Sequence, residues 1–297
     1  MEILAVPSRR AAFGSLPVAA LFAPGWLADR AVQALVAEAW LTPKPALVDR
    51  RGCGAHRDLD LSRLLASAWA LRSGFERMAE SAQRRPLGIG LREELGDIGR
   101  DAEADMLAAT GGSNAHRGAI WILGLIVAGL AMSAKAAVPA EVAARAAALA
   151  QLPDRHAPAQ ATNGSRACKR YGVEGARGEA RMGFPHVIDI GLPALRCARR
   201  GGADEGGAQL DALMAIMASL EDTCLLHRGG RAAVHDAQRG AREVLGLGGS
   251  STPAGRSRLL ALDAQLLSRW VSPGGSADLL AACLLLDGIN QEPSWKS

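Results

Sequence analysis

Apolar residues recur along this chain at the three-and-four spacing of helices, and alternating runs of β-branched residues are nearly absent. The spacing predicts helices over 31–41, 59–83, 91–109, 115–137, 141–152, 208–226, 231–247, 255–270 and 276–286. In the second of these Leu61, Leu64, Leu65, Ala68 and Leu71 share a face, and Asp58 is the predicted N-cap. Residues 153–170 are polar, with two prolines and an Asn-Gly pair, and read as a loop.

The stretch 118–134 carries no charge between Arg117 and Lys135. A spanning helix needs about 20 apolar residues, and this Gly- and Ala-rich run falls short. It predicts a helix buried on all sides at the middle of a helical domain. The expectation is an all-α fold: one multi-helix domain over 1–297, a buried central apolar helix and Gly-rich active-site loops. Residues 1–30 read as a loosely packed N-terminal extension. There, Arg9-Arg10 precede a weakly apolar stretch that Pro17 and Pro24 interrupt, so no signal peptide is predicted.

Charge and composition narrow the function. Lys plus Arg number 34 against 30 Asp plus Glu, and aromatic residues make up only 4%. That bias is too weak for duplex DNA, and stacking surfaces for single strands are scarce. Cys53, Cys168, Cys197, Cys224 and Cys283 form no C-x-x-C pair, so neither a disulfide framework nor a Cys-based zinc site is indicated. A reducing cytoplasm is the expected compartment.

Five connections gather the ionisable residues. The first, 42–60, holds Lys44, Asp49, Arg50, His56, Asp58 and Asp60 between two prolines and two glycines. Carboxylates in that setting suit Mg²⁺ shared with phosphate, or cap and complement a helix start. The second, 110–118, is a Gly-rich turn with His116 and Arg117 at a helix mouth, where backbone N–H groups attract anions. The third, 171–180, places Arg177 and Glu179 in a Gly-flanked segment. The fourth, 221–230, carries Asp222, His227 and Arg228 before Gly229-Gly230, read as a helix stop. The fifth, 272–280, offers Gly274, Gly275 and Ser276 as a phosphate nest, Ser276 as the N-cap and Asp278 in the first turn. No P-loop, G-x-S-x-G, H-E-x-x-H or dinucleotide fingerprint is present.

Together these connections resemble those of the triphosphoribosyl-dephospho-CoA synthase family. The malonate decarboxylase-associated form is the nearest in pattern, with the citrate lyase-associated form related. The matching stretches are P-K-P-A-L-V-D-R-R-G-C-G-A-H-R-D-L-D, N-A-H-R-G-A-I-W, G-A-R-G-E-A-R-M-G-F-P, D-T-C-L-L-H-R-G-G and S-P-G-G-S-A-D-L-L-A, in order along most of the chain. Ala46, Ala115 and Trp270-Val271 stand where the family pattern has Gly, Thr and a more polar pair.

The resemblance implies an all-helical enzyme that joins C1 of the ATP ribose to the 2′-hydroxyl of 3′-dephospho-CoA and releases adenine. The product would be a prosthetic-group precursor, which a separate transferase places on an acyl carrier protein. A homodimer is a candidate assembly; no nucleic acid and no membrane partner is expected. Cleaving ribose from adenine builds positive charge at C1, beside a triphosphate of about four negative charges. On that reading Lys44, Asp49, Arg50, His116, Arg117, Arg177, Arg228, Gly274, Gly275 and Ser276 bind substrate or phosphate. Asp58, Asp60 and Asp278 are candidate Mg²⁺ ligands. Glu179 or Asp222 would take the hydroxyl proton, and His56 or His227 would assist adenine. Two other classes stay open: a metal-dependent N-glycoside hydrolase releasing adenine to water, and a non-catalytic partner of an acyl carrier protein.

Overall fold

The computed structural model describes residues 22–133, 138–159 and 161–289. Much of the proposed N-terminal extension, with Arg9-Arg10, lies outside them, as does the end of the apolar run. The described residues form α1 (Pro24–Trp40), α2 (Leu61–Ala70), α3 (Arg72–Arg84), α4 (Ile89–Ala109), α5 (Arg117–Ala131), α6 (Pro139–Gln151) and α7 (Asn163–Tyr171). They continue as α8 (Gly175–Arg181), a π-helical turn (His186–Gly191), α9 (Leu192–Arg200), α10 (Glu205–Met217), α11 (Thr223–Gly246), α12 (Pro253–Ser268) and α13 (Gly274–Gly288). The architecture is all-α. The one β-type pairing among them is an isolated bridge, Asp49 with Gly52.

The uncharged run is α5, and it lies at the centre as its pattern requires. Every residue from Ile122 to Ala131 is buried. Helices α1, α3, α4, α6, α8 and α13 pack around it. Two glycines set the closest approaches. A Cβ on Gly124 would stand 2.6 Å from the Met78 sulfur of α3, and one on Gly129 would stand 2.7 Å from the Val142 carbonyl of α6. No helix of the described residues is long and apolar enough to cross a membrane.

Several boundaries differ from the pattern-based ones. The predicted helix 59–83 divides at Leu71, where ψ opens to −10° and lets α2 and α3 bury different faces. Its N-cap is Asp60, whose carboxylate accepts from the Arg63 N–H, and not Asp58. The predicted loop 153–170 contains most of α7. Thr162 caps it, Gly172 ends it at φ 68°, and only Ala167 is buried, so no apolar stripe marks it in the sequence. The predicted helix 208–226 is interrupted between Met217 and Thr223, and Asp222 caps a new helix. Gly229-Gly230 does interrupt the helix as expected: Gly230 leaves the helical region (φ 66°, ψ −167°), and α11 is two helical stretches that meet at this kink, the second running to Gly246.

The two close approaches along α5 make opposite predictions. Gly-to-Ala in a helix gains up to about 1 kcal/mol of intrinsic preference. Gly124→Ala meets the movable end of Met78 and is expected to be neutral or stabilising in chemical denaturation. Gly129→Ala meets a fixed carbonyl and is expected to lose about 1–3 kcal/mol.

Candidate active site

The connections that carry the ionisable residues converge on the N-terminal ends of α5, α11 and α13. Connection 42–60 is held first by a buried ion pair. Lys44 is 1% exposed, and its Nζ donates to Glu38 Oε1 at 2.5 Å and to the Glu38 carbonyl at 2.7 Å. Asp49 staples the same turn, accepting from the backbone N–H of Lys44 (2.9 Å) and Arg51 (2.7 Å) and from Arg51 Nε (2.9 Å). Arg51 reaches on to Asp263 of α12 at 2.7 Å, and Asp263 accepts the Ala46 N–H at the same distance. Ala46 sits at φ 55°, a conformation that suits Gly.

The far end of this connection meets the fourth and fifth. Arg228 donates from Nη1 to the Ala55 carbonyl at 2.7 Å, and its Nη2 lies 3.2 Å from His56 Nδ1. A guanidinium only donates, so Nδ1 is the acceptor and the His56 proton sits on Nε2. That nitrogen meets Ser272 Oγ at 3.1 Å. Burial, and then the Arg228 charge, push His56 down to about 4. It is therefore neutral at pH 7 with both nitrogens engaged, which makes it a link between Arg228 and Ser272.

Connection 110–118 closes the cleft from the other side. Ser113 Oγ donates to the Asp58 carbonyl at 2.6 Å. His116 is buried; its Nδ1 pairs with Ser67 Oγ at 2.7 Å, and its Nε2 is buried without a partner among the described residues. Burial and the Lys44 charge push this imidazole down to about 3. Arg117 pairs with Glu103 at 2.6 Å. The next residue, Gly118, faces Asp278, and any Cβ there would collide with Asp278 Oδ2.

Asp222 fixes the floor. Its carboxylate accepts from Cys224 N (2.8 Å), Leu225 N (3.4 Å), Gly275 N (3.3 Å), Ser276 N (2.8 Å) and Ser276 Oγ (2.9 Å). One anion thus caps both α11 and α13, where the positive ends of two helix dipoles meet. Burial raises its pKa against these hydrogen bonds. The third connection docks beside it. Trp121 Nε1 of α5 donates to the Ala176 carbonyl at 3.1 Å, and Gly175 packs against Thr223.

These distances reassign several of the expected roles. Lys44 is spent on Glu38 and presents no ammonium to a phosphate. Asp49 holds a turn. Arg50 is exposed, bonded to Thr42. The Gly275 and Ser276 donors expected to cradle phosphate go to Asp222, and α13 is capped from Pro273 with no side-chain cap from Ser276. Gly274 lies against the Cys224 sulfur. Glu179 is buried, and both its oxygens hold His186, one on the backbone N–H (2.8 Å) and one on Nδ1 (2.9 Å). It anchors the π-helical turn. His186 escaped the sequence reading, although a His seven residues after a buried carboxylate was the available signal. Asp60 is a helix cap, Asp58 is exposed, and no group of three His, Cys, Asp or Glu among the described residues is arranged to hold a metal ion. The trio Asp58, Asp60 and Asp278 does not fit a shared Mg²⁺ site.

Four expected groups remain unengaged or able to donate further. Arg177 and His227 are exposed and without hydrogen-bond partners among the described residues, and Arg228 keeps N–H groups beyond its two bonds. Asp278 is the fourth. It is partly buried, has no hydrogen-bond partner among the described residues, and sits between Glu38 and Asp222 over Gly118. Burial and those two negative charges raise its pKa well above the ordinary carboxylate value. The cleft thus holds one unpaired, desolvated carboxyl with cationic side chains on the connections around it.

Comparison with known proteins agrees over nearly the whole chain. Residues 24–297 match the family model described as ATP:dephospho-CoA triphosphoribosyl transferase. A Pseudomonas savastanoi pv. phaseolicola protein named probable 2-(5''-triphosphoribosyl)-3'-dephosphocoenzyme-A synthase is 54% identical over 264 residues, covering 89% of this chain and 91% of the relative. An Azotobacter vinelandii protein with the same name is 57% identical over 264 residues, 88% of this chain and 90% of its own. A Klebsiella pneumoniae 2-(5''-triphosphoribosyl)-3'-dephosphocoenzyme-A synthase is 52% identical over 264 residues, 89% and 94% respectively. No solved structure matches the chain.

The buried Lys44–Glu38 pair yields a stability prediction. Lys44→Met leaves a carboxylate stranded and is expected to cost about 3–5 kcal/mol. At about 2 °C per kcal/mol for a domain of this size, the midpoint falls by roughly 6–10 °C. Adding Glu38→Leu is expected to recover much of that loss in thermal denaturation, since an apolar pair needs no compensating charge.

Proposed function

The chain belongs to the ATP:dephospho-CoA triphosphoribosyl transferase family, and on that premise we propose how its cleft performs the transfer. The observation that carries the reading is Asp278, a carboxyl with no hydrogen-bond partner among the described residues, where connections 42–60, 110–118, 221–230 and 272–280 meet. ATP and 3′-dephospho-CoA are the substrates. The bond from the ATP ribose C1 to adenine breaks, and a bond from C1 to the 2′-oxygen of dephospho-CoA forms. Asp278 accepts the hydroxyl proton, and this balances the proton that adenine takes up as it leaves.

A base working near neutral pH needs a pKa above the usual carboxylate range, and the environment of Asp278 supplies that shift. Glu38 and Asp222 raise the local negative potential, which also favours the cationic sugar of the transition state. Arg228 and Arg177 are the cations for the triphosphate, with planar donors suited to it. His56 aims Arg228 and Ser272. ATP enters as its Mg²⁺ complex, the metal carried by phosphate oxygens. The product then passes to a separate transferase that loads the acyl carrier protein of a malonate decarboxylase, and the cytoplasm is where both substrates are available.

Purified protein given MgATP and 3′-dephospho-CoA is expected to release adenine and form the triphosphoribosyl adduct in equal amounts by mass-resolved assay. Adenine without adduct would establish the hydrolase instead. Asp278→Asn is expected to lower turnover by about 10²–10⁴-fold while the protein stays folded; near-normal turnover would remove Asp278 from the mechanism.

The same variant tests the pKa direction. Between the ordinary carboxylate pKa of about 4 and its own raised value, folded Asp278 keeps a proton that the unfolded chain has released. Its contribution to stability therefore declines as pH rises across that window. Asp278→Asn is expected to melt at or above the wild-type temperature at pH 8 and to show a flatter pH dependence of melting.

A further inference from the structure

Trp270 is half exposed (51%), and it stands at φ 53° in the left-handed region. Helix α12 ends in the double-bond pattern that normally uses glycine there. Trp270 N–H donates to the Leu267 carbonyl at 3.0 Å, and Val271 N–H to the Leu266 carbonyl at 3.3 Å. A bulky residue in this conformation is strained, because its Cβ crowds the following carbonyl.

The usual compensation is missing. Trp26 and Trp121 are partly buried against the main core, whereas about half of the Trp270 surface stays exposed. The burial at this corner belongs to its neighbour: Val271 is fully buried and lies close against Gly229 of α11. The indole is thereby turned out of the fold. The Arg57 guanidinium lies over the ring, 4.9 Å from its centroid. Arg57 follows His56, and His56 meets Ser272, two residues after Trp270. A strained, half-exposed indole with a cation on its face therefore forms the rim of the cleft, directly beside the His56–Arg228–Ser272 link.

We propose that Trp270, backed by Arg57, is a stacking platform for the adenine base of a substrate. Purines stack on indole at little cost in specificity, and a guanidinium on an aromatic face strengthens such a platform. Triphosphate and ribose contacts hold the phosphorylated end of the nucleotide; this rim would hold the base. The inference rests on the reading of the cleft as one that takes two adenine nucleotides, ATP and 3′-dephospho-CoA. Either base fits the same chemistry, and the two are separated by experiment.

Calorimetric titration of the full chain with ADP and, separately, with 3′-dephospho-CoA reads binding without turnover. Trp270→Ala is expected to weaken one ligand by about 5- to 150-fold, the usual worth of one stacked base, and Trp270→Phe to keep most of the affinity. Loss for ADP assigns the platform to the departing base; loss for dephospho-CoA assigns it to the acceptor. Trp270→Gly is expected to melt higher than wild type, because strain is relieved, while binding as poorly as the Ala variant. If Trp270→Ala and Trp270→Gly bind both ligands as wild type does, the proposal is overturned, whatever their melting temperatures. Binding is read apart from the adenine and adduct assay. A chain that binds these ligands through Trp270 but forms no adduct would therefore contradict the transfer reaction and leave the platform standing.

Discussion

One buried carboxylate organises the cleft. Asp222 takes donors from the first turns of α11 and α13, two helices whose starts lie about fifty residues apart in the chain, and draws both onto a single anion. With those ends fixed, Asp278 projects over Gly118 from the second turn of α13, one turn later than the sequence predicts because the helix starts at Gly274 and not after Ser276. Arg228, just inside α11, reaches the Ala55 carbonyl and His56. A helix start is an anion site by default. Here the chain supplies that anion itself, so the backbone N–H groups of Cys224, Gly275 and Ser276 are already engaged by Asp222.

How much of this was legible depends on the kind of residue. Helices with an apolar stripe, such as α1 and α3, announce themselves because burial repeats every three or four positions, and α5 does so by an unbroken uncharged run. Helix α7 buries one residue, and α8 is seven residues long and rich in Gly and Arg, so neither writes a stripe. The split at Leu71 is invisible for the opposite reason: the stripe continues while the backbone turns. The connections that hold the chemistry were legible as a set, since ionisable residues between glycines have little other use. Their separate roles were not. Lys44 and Arg228 look alike as phosphate ligands until Glu38, on the preceding helix, is found on the first. Glu179, Asp222 and Asp278 are three acids in three loops, and only their partners distinguish an anchor, a double cap and an unpaired group.

Several strained and desolvated features lie on the connections that converge on the cleft. Ala46 at φ 55°, Trp270 at φ 53°, the unpartnered Nε2 of His116 and the carboxyl of Asp278 each cost stability where they stand. The core around α5, α6 and α3 is apolar and tightly packed. Local cost at the cleft is sustained by a core that has little to do with the chemistry, the distribution expected when a site must be held open and poised for ligands.

The contacts that close the cleft span the chain almost from end to end. His56 meets Ser272 across 216 positions, and Ala46 meets Asp263 across 217. Helices and neighbouring pairs form from local contacts, whereas loops of this length close late, after the entropy of the intervening chain has been given up. The cleft is therefore complete only once the C-terminal helices are packed against connection 42–60. A chain ending before α12 would hold most of the helices and yet lack both Asp278 and Trp270, so this corner of the molecule is complete only when the whole fold is.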